Sequence, residues 1–251
     1  MNLNSRKEFN MLYGTLSNYD SLDAIKDVME ISKPVSMVFD HRLVLASWIL
    51  WKDIKNKPLN LLTFDAHRDL CSENDTIQIM EHIEKTTKEK LDLRVFELLD
   101  VNNDTHINMA CELGVFDSVF VISNDFSDED YYVNKSRIKV FKELDDCIVD
   151  ILSKSFYILD IDLDYFFDKD DCTNSFQFNE LRLKSFLEKK TIFPNNLVGI
   201  TIAIEPRYCG GIVNAINVYE KIEKKLFSAP VFRDYYQEDI AVLSEALAIN
   251  R

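Results

Sequence analysis

Short runs of nearly uninterrupted apolar residues recur along this chain, and they constrain its fold more than any other feature. They are PVSMVF (34–39), LNLLTF (59–64), LDLRVFEL (91–98), SVFVIS (118–123), SFYILDI (155–161) and VGITIAI (198–204). A strand with one wet face alternates apolar and polar residues. A run without alternation suits a strand buried on both faces, as in a parallel sheet. Segments of helical character lie between the runs: HRLVLASWILWKDIK, DTIQIMEHIEKTTKEK, THINMACELG, FNELRLKSFLEKK and GIVNAINVYEKIEKKL. The last begins at Gly210-Gly211 and closes on lysines, a charge order that suits the helix dipole. Alternation of this kind predicts an α/β protein of three layers, α/β/α, with a central parallel sheet.

A chain of 251 residues can bury one large core. With five Gly, five Pro and no Ser/Gly/Pro-rich stretch, the sequence reads as a single domain over 1–251. Residues 1–33 are expected to form a partly helical N-terminal extension packed on it. The longest apolar run, LVLASWILW, is too short to span a bilayer, and MNLNSRKEFN lacks the apolar core of a secretion signal. Cys71, Cys111, Cys147, Cys172 and Cys209 are scattered and odd in number, which fits reduced thiols and a cytoplasmic location. A formal charge of −14 argues against nucleic acid as a partner, because phosphate binding needs basic patches. It is compatible with a cationic substrate or bound metal ions.

Ligands of parallel α/β sheets gather at the carboxyl ends of the strands. Searching those ends is productive. Asp40 and His41 follow the first run, Asp65, His67 and Asp69 the second, Asp160, Asp162 and Asp164 close FYILDIDLD, and Glu205 closes GITIAIE. Alternation along an extended chain puts the three aspartates of ILDIDLDYF on one side. Carboxylates so placed repel unless a cation or a proton intervenes. A solvated acidic strand end would explain one such cluster, but hardly two. Among the candidate ligands His41, Asp65, His67, Asp69, Asp160 and Asp162 there is no thiolate. Hard oxygen donors with some imidazole suit Mn(II), and less well Fe(II), Co(II) or Zn(II). Six donors exceed the need of one ion and suit two ions that share carboxylate oxygens.

These residues resemble a known family. FDAHRD (64–69) is similar to the Asp-Ala-His-x-Asp motif of the arginase–deacetylase (ureohydrolase-like) superfamily, and DHRLVLAS (40–47) to the segment supplying its first metal histidine. DID (160–162) resembles its late Asp-x-Asp pair, and AIEP (203–206) the segment whose glutamate holds a guanidinium. Order and spacing agree over about residues 34 to 211. DIDLDYF together with EPRYCGG looks most like the peptide arginase branch, which converts arginine side chains of ribosomally made peptides to ornithine. The resemblance implies an arginase/deacetylase-like fold and two Mn(II) ions bridged by Asp65 and Asp160. His41 and Asp69 would complete one shell, His67 and Asp162 the other. It further implies that Asp69 takes a catalytic hydrogen bond from the attacking water, and that an arginine-containing precursor peptide is the partner. Glu205 fits a guanidinium on its own chemistry as well, since a carboxylate can grip that planar group in two places.

Two further roles are open. A general acid for the leaving amine calls for a histidine such as His106, ahead of INMACELG, with His82 as the alternative. Asp125, in the acidic segment ISNDFSDEDYY (122–132), is a candidate for the substrate mouth, with Asn124 and Asp128 as alternatives, against an ordinary surface loop. Trp48 and Trp51 read as core packing. The departures from arginases of free arginine are Val38-Phe39, where those have Gly-Gly before the Asp-His, and DLDYF. They count against free arginine as the substrate. The competing readings are the same fold acting on free arginine, agmatine or an acyl-amine, and a non-catalytic metal- and peptide-binding protein. Oligomeric state is not legible.

Overall fold

Five of the six apolar runs are strands in the computed structural model, which describes residues 16–18, 33–72, 75–99, 104–124, 130–170, 173, 175–188 and 195–227. They are β2 (Val35–Val38), β3 (Leu59–Asp65), β4 (Phe116–Ser123), β7 (Tyr157–Asp162) and β10 (Leu197–Ala203). With β1 (Leu16–Asn18), β5 (Asp130–Val133) and β6 (Ser136–Phe141) they form a sheet in the order β1-β2-β10-β7-β3-β4-β6-β5. The pairings from β2 through β6 are parallel, and β1 and β5 add an antiparallel strand at each margin. A separate antiparallel pair, β8 (Phe167–Asp170) and β9 (Ser175–Phe178), stands beyond β7. Of the expected extension at 1–33, all but the β1 strand and Lys33 lies outside the described residues.

Helices cover both faces, giving the three layers expected. α1 (Val44–Lys55), α2 (Thr76–Glu84), α3 (Leu91–Leu98) and α4 (His106–Glu112) pack on one face. α5 (Asp146–Lys154), α6 (Glu180–Glu188) and α7 (Ile212–Leu226) pack on the other. The central strands β3, β7 and β10 are buried along their whole length, the physical reason their sequences do not alternate. Gly199 in β10 is part of that packing. A Cβ there would lie 2.6 Å from the ring of Trp51 on α1, so only glycine lets the helix approach this closely.

The run at 91–98 corrects the sequence expectation, because it is helix α3 and not a strand. Leu91, Val95 and Leu99 recur at a four-residue interval and are buried, while Arg94 and Glu97 pair on the outer side at 3.0 Å. The sheet also leaves it no place, since both neighbours of β3 are taken by β7 and β4.

Candidate metal centre

The parallel strands β2, β10, β7 and β3 lie side by side, so their carboxyl ends form one continuous edge. Each contributes ionisable residues there. His41 opens a 3-10 turn (His41–Leu43) just after β2, and Asp65 ends β3. Asp160 and Asp162 lie on β7, and Asp164 follows in the 3-10 turn Leu163–Phe166. Glu205 lies two residues beyond β10. Asp69 and Glu205 both have positive φ, 49° and 39°, a backbone conformation uncommon outside glycine.

Three groups of side chains have ligand atoms within 4.8 Å of one another: His41 with Asp65 and Asp162, His41 with Asp69 and His106, and Asp65 with His67 and Asp164. Three of the carboxylates are set in a common way. One oxygen is anchored by a backbone N–H: the His67 N–H donates to Asp65 Oδ1 at 2.7 Å, Asp164 N–H to Asp162 Oδ1 at 3.0 Å, and Ala66 N–H to Asp164 Oδ1 at 3.1 Å. The other oxygen faces the imidazoles. His41 Nδ1 is 3.3 Å from Asp65 Oδ2, 3.1 Å from Asp69 Oδ2 and 3.0 Å from Asp162 Oδ2. His67 Nδ1 is 3.0 Å from Asp164 Oδ2.

Burial makes this arrangement costly without a cation. Asp65, Asp69, Asp162 and Asp164 are all buried, and carboxylates in this state normally bind metal, pair or take up protons. Burial, reinforced by neighbouring Asp65, pushes Asp69 well above the usual carboxylate range; burial and Asp164 do the same to Asp162. Asp164 is raised by burial and by Asp65. Burial works to raise Asp65 as well, but the His41 imidazole 3.3 Å away outweighs it and holds this carboxyl below the usual range. Burial opposes a charge on His41, but Asp160 and Asp162 outweigh it and hold the imidazole well above its ordinary value. His67 is pushed up to about 9 chiefly by the Asp164 carboxylate 3.0 Å from its Nδ1, against a smaller opposing effect of burial. His41 Nδ1, Asp65 Oδ2 and Asp164 Oδ2 are buried without settling into hydrogen-bond geometry with any partner. Orphaned donor atoms aimed at a common space, hard in character and without thiolate, fit divalent cations of the Mn(II) type.

The structure therefore brings together five of the six expected ligands, His41, Asp65, His67, Asp69 and Asp162. Asp160 departs from the expectation. It lies one strand repeat deeper, fully buried, outside all three groups, and both its oxygens are engaged by Thr63, Thr201 and His41. Asp164 occupies the position that completes the set. The signal was present in the third aspartate of DIDLD, but choosing between two overlapping pairs requires knowing where β7 ends.

Glu205 is 4% exposed, and its Oε1 accepts the His41 backbone N–H at 2.6 Å, so it stands against the Asp/His cluster. Burial lifts its carboxyl to about 8. His106 is fully buried at the start of α4, its ring 4.3 Å from that of His41 and its Nδ1 3.6 Å from Asp69 Oδ2. It thus stands with His41 and Asp69 in one of the three groups of potential ligands. His82 is exposed on α2, where its Nδ1 contacts the Gln78 carbonyl of its own helix. Asp125 lies outside the described residues. Beside Glu205, a cleft of about 650 Å3 runs along Lys169, Phe176, Arg207, Tyr208 and Gly210. Tyr208 joins cleft to cluster, its ring 5.5 Å from that of His67 and 6.3 Å from that of Phe176.

No family model matches the chain, and no curated protein matches it significantly. Among solved structures it is similar to a hypothetical agmatinase from Burkholderia thailandensis, with 16% identity, a TM-score of 0.46, and coverage of 74% of this chain and 56% of that one. It is similar to proclavaminate amidino hydrolase from Streptomyces clavuligerus at 15% identity and a TM-score of 0.44, covering 76% and 62%. It is also similar to arginase from Medicago truncatula at 16% identity and a TM-score of 0.42, covering 80% and 63%. The chain thus spans less than two thirds of the length of each.

Proposed function

We propose that this protein is a Mn(II)-dependent amidinohydrolase that converts arginine side chains of a ribosomally made precursor peptide to ornithine, with release of urea. The observation that carries the reading is a buried Asp/His cluster with orphaned donor atoms, set directly against a separate buried carboxylate, Glu205. His41, Asp69 and Asp162 would hold one ion, and His67 and Asp164 the other. Asp65, which belongs to two of the groups, would be shared. Bound there, divalent ions supply Lewis acidity and lower the pKa of a coordinated water toward neutrality.

The chain's own residues do the rest. Glu205 as carboxylate pairs with the guanidinium and aims its central carbon at the cluster, with the His41 N–H fixing its Oε1. Asp69 Oδ2, backed by His106, takes the proton of the attacking water and returns it to the departing nitrogen. Water adds to the guanidinium carbon and the bond from that carbon to the side-chain nitrogen breaks, so the products are urea and a primary amine. Tyr208 and Phe176 line the way in for a chain longer than the arginine itself.

Lys169 and Arg207 on the same cleft favour a second reading, in which a small guanidino acid such as free arginine is held by its carboxylate. Incubation with Mn(II) and either arginine-containing peptides, free arginine or agmatine separates the readings. Peptide conversion is expected as a mass loss matching ornithine, with urea in equal amount. Turnover of free arginine alone supports the second reading, and activity that survives metal stripping overturns both.

A further inference from the structure

Resting on the metal-dependent reading above, we propose that Asp160 is a positioning residue that fixes the tautomer and orientation of His41. The geometry is specific. In the parallel register Asp160 lies level with Thr201 on β10 and Thr63 on β3. Thr201 Oγ1 donates to Asp160 Oδ1 at 2.5 Å and Thr63 Oγ1 donates to Oδ2 at 2.7 Å. The Trp48 indole N–H donates to Thr201 Oγ1 at 3.1 Å, which commits the single hydroxyl proton of Thr201 to Asp160. The carboxylate is thereby locked from both sides, and His41 Nε2 approaches its Oδ2 at 3.0 Å.

With both of its oxygens already accepting threonine hydroxyls, Asp160 meets His41 as an acceptor, so Nε2 is the nitrogen that carries the proton in this contact. That leaves the lone pair of a neutral ring on Nδ1, the atom facing Asp65, Asp69 and Asp162. Metal-ligating histidines commonly donate their second N–H to a carboxylate in this way, and loss of that partner weakens metal binding ~10–100-fold. Asp160 thus has a function that explains its burial without making it a ligand. The chain Trp48–Thr201–Asp160–His41 ties the metal edge to helix α1.

The test uses Asp160→Asn, Thr201→Val and Thr201→Ser in the full chain, each checked for folding by circular dichroism. Mn(II) binding is measured by equilibrium dialysis with metal analysis. The nitrogen shifts of His41 are read by NMR in the Zn(II)-loaded, 15N-histidine-labelled protein. The wild type is expected to show Nε2–H with Nδ1 bound. Asp160→Asn should keep its metal stoichiometry at saturation while one ion binds ~10–100-fold more weakly. Thr201→Val should weaken the same ion, and Thr201→Ser, which keeps the hydroxyl, should restore it. Reduced stoichiometry in Asp160→Asn at saturation would make Asp160 a direct ligand and overturn the proposal. Nε2 ligation by His41 would overturn it too, as would a metal affinity that Asp160→Asn leaves unchanged. A wild-type chain that takes up no Mn(II) or Zn(II) overturns both this inference and the metal-dependent reading. Normal metal binding without urea release from any substrate overturns only the latter.

Discussion

Glu205 concentrates the question of substrate in one side chain. A carboxyl lifted to about 8 by burial is mostly protonated at neutral pH in the metal-free protein. Only its ionised form pairs with a guanidinium, so affinity for a guanidinium ligand is expected to rise with pH through about 8. Glu205→Gln should abolish that rise and bind the ligand at least ~10-fold more weakly, as expected for a lost charge-assisted pair. Calorimetric titration of arginine-containing peptide across this range checks it, and a pH-independent wild type would remove Glu205 from the binding role. Asp164→Asn tests the metal side of the same edge. One ion per chain should be lost while His41, Asp69 and Asp162 keep the other, measured as metal content after dialysis. Two ions retained at wild-type affinity would return Asp164 to a structural role. Most of this edge was legible in the sequence, because His41, Asp65, His67, Asp69 and Glu205 stand at or just beyond the ends of uninterrupted apolar runs. The structure groups Asp164, and not Asp160, with Asp65 and His67. Period-two alternation says that three aspartates share a face, but not which of them has passed the end of the strand. His106 was legible as a nearby histidine and not as one that is fully buried.

At the level of elements, the same apolar runs that revealed the sheet also concealed a helix. LDLRVFEL satisfies a buried strand and a helix alike, and tertiary context decides between them. The β5–β6 and β8–β9 pairs were missed for a different reason. SRIKVF alternates, as an exposed-face strand should, but the flanking segments carry little apolar signal. Packing between elements makes its own prediction at Gly199. Adding a methyl group there, as in Gly199→Ala, forces it against Trp51 ring atoms at 2.6–2.8 Å. Trp51 is 2% exposed and has no room to retreat, so overpacking should destabilise the fold by ~1–3 kcal/mol. The shift is read as a lower urea midpoint with an unchanged slope. Because α1 also carries Trp48, the donor to Thr201, the same variant should loosen metal binding as well. An unaltered midpoint would mean that α1 does not pack on β10 as described.

Across the whole molecule, the cluster ties stability to pH in a direction opposite to ordinary acid denaturation. Asp69, Asp162, Asp164 and Glu205 have folded-state values above those of unfolded carboxyls, ~4. Their contribution is fully present below that value and is lost as pH rises through the folded values, about 8 for Glu205. His41 and His67 are raised too, so their contribution is present below ~6.5 and lost as pH rises, through about 9 for His67. His67 is half exposed, and solvent screening makes its share small. Only Asp65, whose value is lowered, works in the opposite sense within the cluster. The metal-free protein should therefore melt at a lower temperature at about pH 8.5 than at about pH 5.5. Cations need the same groups deprotonated, so Mn(II) should raise the melting temperature little at the acid end and strongly at the alkaline end. Differential scanning fluorimetry with chelator and with excess Mn(II) gives both curves. A metal-free protein that gains stability over this range, or an Mn(II) increment independent of pH, would show that the buried carboxylates are neutralised by something other than protons and metal. If both expectations hold, the buried carboxylates of this edge carry protons until a cation replaces them, and the formal charge of −14, which counts them as ionised, overstates the negative charge of the metal-free protein.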